Sequence, residues 1–215
     1  MRNFVITIQD TPQSVEAAKR CIKSGKRWQT DIEMFDAITP RNTDVKQKLA
    51  DLEFPIKNFG EKYSRLNNCI AAFLSHYTLW NKCIELGEEI HIFEHDAVLM
   101  DYLPTTLQYS GAISLGKPSY GNFKTPNILG VNRLMSKQYF PGAHAYRLTP
   151  TASKVLVDKA KEDAGPTDVY LDVRRFPFLQ EYYPWPVEVK ENFSTIQKVA
   201  GCWAKHGFDN EYKII

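Results

Sequence analysis

Glu94 and Asp96 are two carboxylates one residue apart, directly after Ile90-His91-Ile92-Phe93, a short run that reads as a strand. An acid-x-acid pair at a strand end can reach one hard divalent cation while phosphate oxygens complete its octahedron, so the chemistry it suits is the binding of a diphosphate. The same pattern also occurs as a solvated surface pair, and the spacing alone leaves both readings open.

Other reactive side chains carry a similar choice. Asp168 and Asp172 follow Gly165-Pro166-Thr167 at four-residue spacing, which predicts one shared face of a short helix. Asp168 there suits either a helix cap or a general base. His144 sits among Gly142, Ala143 and Ala145, a setting that fits a core histidine or close approach of a ligand. Arg174 and Arg175 suit a bidentate phosphate clamp or a solvated face. Ser75-His76 lies in a helical pattern without a third partner for a nucleophilic triad, which argues against a hydrolase.

The elements that must position these groups are legible from periodicity. Phe4 to Ile8 reads as a buried strand, and Asp10-Thr11-Pro12 opens a helix that runs to about Lys23. Thr30 to Phe35 reads as a second strand, ending at Asp36-Ala37-Ile38, with a polar helix or loop after Pro40. From about Ser64 to Leu86, Ile70, Phe73, Leu74, Tyr77, Trp80, Cys83 and Ile84 recur at helical spacing, and Gly87 stops them. Ala112 to Leu115 and Gly142 to Leu148 read as strands, the latter feeding a helix from Thr149-Pro150 towards Ala160. Gly116 to Phe140 reads as a long functional loop. Helix, glycine turn, strand and then acids is how open α/β sheets place ligands at strand carboxyl ends.

Composition bounds the rest. With 215 residues, 43% hydrophobic and 24% charged, the chain suits one ordinary globular domain, 1–215, and excludes disordered, collagen-like and coiled-coil readings. Cys21, Cys69, Cys83 and Cys202 form no CxxC pair, which excludes a zinc ribbon and a thioredoxin-like motif and predicts reduced, structural thiols. No run reaches the length of a membrane span, the tail from Gly201 to Ile215 is a poor anchor, and a cytoplasmic location is the default expectation. The sequon at Asn192-Phe193-Ser194 carries no meaning without secretion. No Asp or Glu occurs from Tyr102 to Val157, where Lys117, Lys124, Arg133, Lys137, Arg147 and Lys154 interleave with five tyrosines. That stretch suits a polyanion or is a chance lull in acids.

Taken in order, these segments resemble glycosyltransferase family 25, a group that includes lipo-oligosaccharide and collagen-modifying galactosyltransferases and many phage proteins. Asp36-Ala37-Ile38 is similar to the family's "DAI/DAV" turn, and Leu74-Ser75-His76 with Trp80 to its "LSH…W" helix. Phe93-Glu94-His95-Asp96-Ala97-Val98 stands where the family has "LEDDV", with His95 replacing the central acid, and Cys69, Ala71 and Ala72 depart from the helix motif. Leu115-Gly116, Gly142-Ala143-His144-Ala145-Tyr146, Ala152, Pro166-Thr167-Asp168, Pro186-Val187 and Ser194-Thr195-Ile196 resemble later family segments. The variant acidic motif looks closer to phage-encoded members.

The resemblance implies a GT-A-like, Rossmann-type α/β fold: a central, mostly parallel sheet flanked by helices. It implies an inverting transfer of sugar from a nucleotide-diphosphate donor, UDP-linked by preference, with Mn2+ or Mg2+ held by Glu94 and Asp96. Thr7, Ile8, Asp36, Ala37, Ile38, Asn68, Ser75, His76, Glu94 and His95 would bind the donor. Asp168 is the preferred base, with Asp172 or His144 as substitutes, and Lys117, Lys124, Arg133, Lys137, Arg174 and Arg175 would meet acceptor or phosphate. Three functions stay open: transfer to a surface glycan, transfer to a hydroxylated base in phage DNA within the host cytoplasm, or an inactive nucleotide-sugar or glycan binding module. The oligomeric state has no signature.

Overall fold

A computed structural model describes residues 1–60, 64–190, 193–197 and 213–214. Cys202, Asn192 and most of the C-terminal tail lie outside the described residues. The first strand, β1 (Arg2–Thr7), leads into α1 (Pro12–Arg27), with proline in its first turn as expected. Next come β2 (Glu33–Asp36), α2 (Val45–Asp51), a 3-10 turn at Ile56–Phe59, and the long α3 (Leu66–Leu86). Gly87, at φ +63°, ends α3 in the left-handed conformation that glycine adopts without steric cost. Then follow β3 (Ile90–Glu94), β4 (Ala97–Leu99), β5 (Ala112–Ser114), β6 (Gly130–Arg133) and β7 (Ala145–Leu148). The chain continues through α4 (Pro150–Asp163), α5 (Thr167–Tyr170), β8 (Leu179–Tyr183), β9 (Val187–Val189), β10 (Phe193–Ser194) and β11 (Lys213–Ile214).

Seven strands form the central sheet in the order β2-β1-β3-β7-β5-β8-β6. β2, β1 and β3 pair in parallel, β7 runs against both β3 and β5, β8 is parallel to β5, and β6 is antiparallel to β8. Five strands therefore point one way and two the other: the α/β sheet with flanking helices that was expected.

Because successive strand residues face opposite sides, the sheet feeds two cores. Phe4, Ile6, Ile90, Ile92, Tyr146 and Leu148 pack under α3 and α4 with Phe73, Leu74, Trp80 and Leu156. Val5, Phe93 and Ala145 pack on the other face with Ala18 and Cys21 of α1 and with Leu99 and Val187 of the β4–β9 ladder. Cys21, Cys69 and Cys83 are buried free thiols, as the spacing suggested.

Three expectations need correction. The second strand starts at Glu33 and not at Thr30, because the Thr30 N–H turns back to the Gly25 carbonyl after Gln29 takes φ 56°. The stretch 116–140 is not wholly loop, since β6 forms the sheet's last strand. The helix at Asp168 is a single turn ending at Tyr170, so Asp168 and Asp172 share no helical face.

Candidate active site

The carboxyl ends of β1, β2 and β3 lie side by side and are tied together by side chains from the helices. The Ala37 N–H donates to the Thr7 carbonyl at 2.9 Å, closing the gap between the first two strand ends. Ser75, on buried α3, accepts the Ile38 N–H at 2.9 Å, and Ser14, in the first turn of α1, accepts the Ile8 N–H at 2.9 Å. The Ser14 hydroxyl also meets His95 Nδ1 at 3.1 Å, and the His95 ring stacks on Phe193 with centroids 5.3 Å apart. A histidine at the family's central acid is thus used for packing and for a bond to α1. Asn68, in the first turn of α3, donates to the Thr195 carbonyl. A cleft of about 420 Å³, lined by residues 40–46 and Asn67, opens just beyond Ile38. Of the expected donor-binding residues, Ile8, Asp36, Ile38, Asn68, Glu94 and His95 are at least partly exposed, whereas Thr7, Ala37, Ser75 and His76 are buried.

Glu94 closes β3. Its N–H donates to the His144 carbonyl at 2.9 Å, and its Oε1 lies 3.2 Å from His76 Nε2. His76 is 1% exposed, and burial drives its pKa down to about 3, so the ring is neutral and the contact is a hydrogen bond, not an ion pair. Burial, with Asp96 and Asp168 nearby as like charges, pushes the Glu94 carboxyl well above the usual range. The three acids are thus close enough to feel one another.

Asp96 is half-buried, and its Oδ1 is buried with no hydrogen-bond partner. A buried carboxylate oxygen without a donor is costly and calls for an explanation. Among the described residues no group of three or more His, Cys, Asp or Glu could hold a metal alone. Two carboxylates make a hard, all-oxygen donor pair, so the chemistry of Glu94 and Asp96 fits a divalent cation whose remaining ligands come from elsewhere.

Asp168, at the start of α5, is near enough to act on Glu94 as a like charge. Its Oδ2 accepts the Tyr120 hydroxyl at 2.6 Å and its Oδ1 accepts the Val169 N–H at 2.9 Å. Burial raises its pKa, although the Tyr120 and backbone bonds pull the other way. Asp172 is different. Its oxygens accept Arg174 Nε and Nη2 at 3.0 and 2.7 Å, and that guanidinium holds the carboxyl below its usual range. A carboxylate spent on an adjacent arginine is a poor base, and Asp172 does not join the site.

His144 is 2% exposed and lies between two glycines. A Cβ on Gly116 would sit 2.2 Å from His144 Nε2, and one on Gly142, at φ +83°, would sit 2.5 Å from Ser119 Oγ. The ring is therefore enclosed in the wall, and its main-chain carbonyl is what reaches Glu94. Gly116→Ala should cost about 1–3 kcal/mol through overpacking against a ring with no room to move. Thermal unfolding checks this; an unchanged melting temperature would mean the ring can shift.

The expected phosphate and acceptor contacts are mostly spent inside the molecule. Lys117 Nζ lies 3.2 Å from Glu188, and Arg175 bonds Asp163 and the Tyr170 carbonyl, tying α5 to α4. Arg174 holds Asp172, and Lys137 lies over the Tyr120 and Tyr139 rings at 4.9 and 5.6 Å. Arg147 is buried on Glu89, and Lys154 pairs with Asp158. Lys124 and Arg133 are exposed. The acid-free stretch is therefore not one continuous cationic face. Tyr120, Tyr146 and Ser14 were missed as site residues, though Tyr146 lay inside a motif segment.

The sequence model of glycosyltransferase family 25, described as an LPS biosynthesis protein, matches residues 1–117, more than half of the chain. The chain belongs to this family. It is accordingly a glycosyltransferase, and the matched part carries β1 to β3, His76, Glu94 and Asp96, while Tyr146 and Asp168 lie beyond it. Among solved structures, this glycosyltransferase is similar to the crystal structure of A197 from STIV, with 10% identity, TM-score 0.40 and coverage of 84% of this chain and 81% of that one. It is also similar to a mutant Drosophila β-1,4-galactosyltransferase 7 in complex with manganese, UDP-Gal and xylobiose, with 8% identity, TM-score 0.37 and coverage of 73% and 52%. No curated protein matches it significantly.

Proposed function

We propose that the protein is a divalent-cation-dependent, inverting glycosyltransferase that moves a sugar from a nucleoside diphosphate, UDP by preference, to a hydroxyl of a surface glycan. The observation that carries this reading is the unpartnered, buried Oδ1 of Asp96 beside Glu94 at the tip of β3. Glu94 and Asp96 would hold Mn2+ or Mg2+, which when bound supplies a charge sink for the leaving diphosphate. Asp168 takes the proton of the acceptor hydroxyl as that oxygen bonds to the anomeric carbon and the sugar–diphosphate bond breaks on the opposite side. Burial keeps this carboxyl basic enough for the task, and the Tyr120 hydroxyl fixes its orientation. A glycan is preferred over duplex DNA because most basic side chains between Lys117 and Arg175 are engaged within the molecule, whereas tracking a phosphate backbone needs free cations.

Release of UDP from a panel of UDP-sugars, with Mn2+ and with EDTA, tests the reading. Turnover that EDTA removes is expected; no turnover of any donor would leave a binding module in its place.

The base assignment makes a prediction with a definite sign. The Tyr120 hydroxyl stabilises the Asp168 carboxylate and lowers its pKa, so Tyr120→Phe should raise it. Since the ionised form is the active one, the acid limb of the kcat/KM profile should move to higher pH. An unmoved limb would take Asp168 out of the base role.

A further inference from the structure

Trp80, His76, Glu94 and Tyr146 come from three separate segments, two on α3 and one each at β3 and β7, yet they form a single hydrogen-bonded chain. Trp80 Nε1 lies 2.9 Å from the Tyr146 hydroxyl, that hydroxyl lies 2.8 Å from His76 Nδ1, and His76 Nε2 lies 3.2 Å from Glu94 Oε1. Trp80, Tyr146 and His76 are 0%, 0% and 1% exposed, so water does not take the place of any partner.

Donor and acceptor chemistry gives this chain a direction. An indole N–H only donates, so the Tyr146 oxygen accepts from Trp80. If Tyr146 then donates its own proton to His76 Nδ1, the neutral ring carries its hydrogen on Nε2 and donates to Glu94. The reverse assignment strands the Tyr146 proton without an acceptor. From these contacts we infer that Trp80 and Tyr146 are positioning residues that lock His76 as the Nε2–H tautomer, so that it engages Oε1 and leaves Glu94 an oriented ligand for the cation of a metal–diphosphate complex. This rests on the proposed metal-dependent reading and extends it to the groups behind the ligand. Outer partners of this kind set ligand orientation, and their loss typically weakens metal binding about 10–100-fold.

Two readouts test the tautomer lock. In histidine-labelled native protein, 15N NMR should show His76 as the Nε2–H tautomer; the Nδ1–H tautomer would overturn the inference. Mn2+ affinity in the presence of UDP should fall roughly 10-fold or more in Tyr146→Phe, which keeps the ring in the core. Equal Mn2+ affinity in native protein and Tyr146→Phe overturns the lock while the metal reading stands. Native protein that binds no Mn2+ with UDP removes the metal reading and the lock together. Should Tyr146→Phe fail to fold, the native NMR still decides.

Discussion

Asp96→Ala should abolish metal-dependent sugar transfer, lowering turnover by at least about 10³-fold, while the protein stays folded. The size follows from the charge sink that a cation supplies to a leaving diphosphate, several kcal/mol at about 1.4 kcal/mol per tenfold. Retained folding follows from the contacts. Asp96 Oδ1 has no hydrogen-bond partner to lose, and the bond from the Lys190 N–H goes to the main-chain carbonyl, which alanine keeps. Removing a buried unpaired oxygen should leave the melting temperature unchanged or raise it. Initial rates with Mn2+ and a thermal melt on the same preparation check both halves. A variant that retains its rate contradicts the assignment, and one that unfolds makes Asp96 a structural residue.

Asp168→Asn should lower kcat by about 10²–10⁴-fold, the usual contribution of a positioned base, with little change in KM for the donor. Asparagine keeps the shape and an oxygen able to accept from Tyr120, at the cost of the bond that Oδ1 accepts from the Val169 N–H. What it loses is the capacity to take a proton. A cap alone would give the opposite pattern: α5 is a single turn, and a structural role would lower stability while leaving kcat intact. The split between kcat and KM separates the two.

Legibility of the fold followed signal strength. α3 was readable because an apolar stripe at three- and four-residue spacing has no other use, and its stop at Gly87 because the turn needs a left-handed residue. β3 and its terminal acids were readable for the same reason, since a strand with a neighbour on each side admits apolar residues on both faces. β4, β8 and β9 were not read, because strands of three to five residues with mixed polarity carry too little periodicity and gain their pairing from strands far away in sequence. β7 lying antiparallel between β3 and β5 is likewise a long-range fact with no local trace.

In the site, acids and histidines drew notice because their types suggest chemistry, and spacing could not tell a committed side chain from an available one. Asp172 and Asp168 are the same residue type four positions apart, yet one is held by Arg174 and the other by Tyr120, forty-eight residues away in sequence. Tyr146 looked like one aromatic among five in a basic stretch, and only the packing of β7 under α3 joins it to His76 and Trp80. The order of motif segments carried the family, while the contacts between them support the proposed roles.

The proposed cation at the tip of β3 is tested most directly by anomalous diffraction from crystals grown with Mn2+ and UDP. The expected result is one manganese peak at about 2 Å from oxygens of Asp96 and Glu94, with the UDP diphosphate completing its shell. UDP bound at the strand ends with no metal at Asp96, or manganese sited elsewhere, would contradict the account.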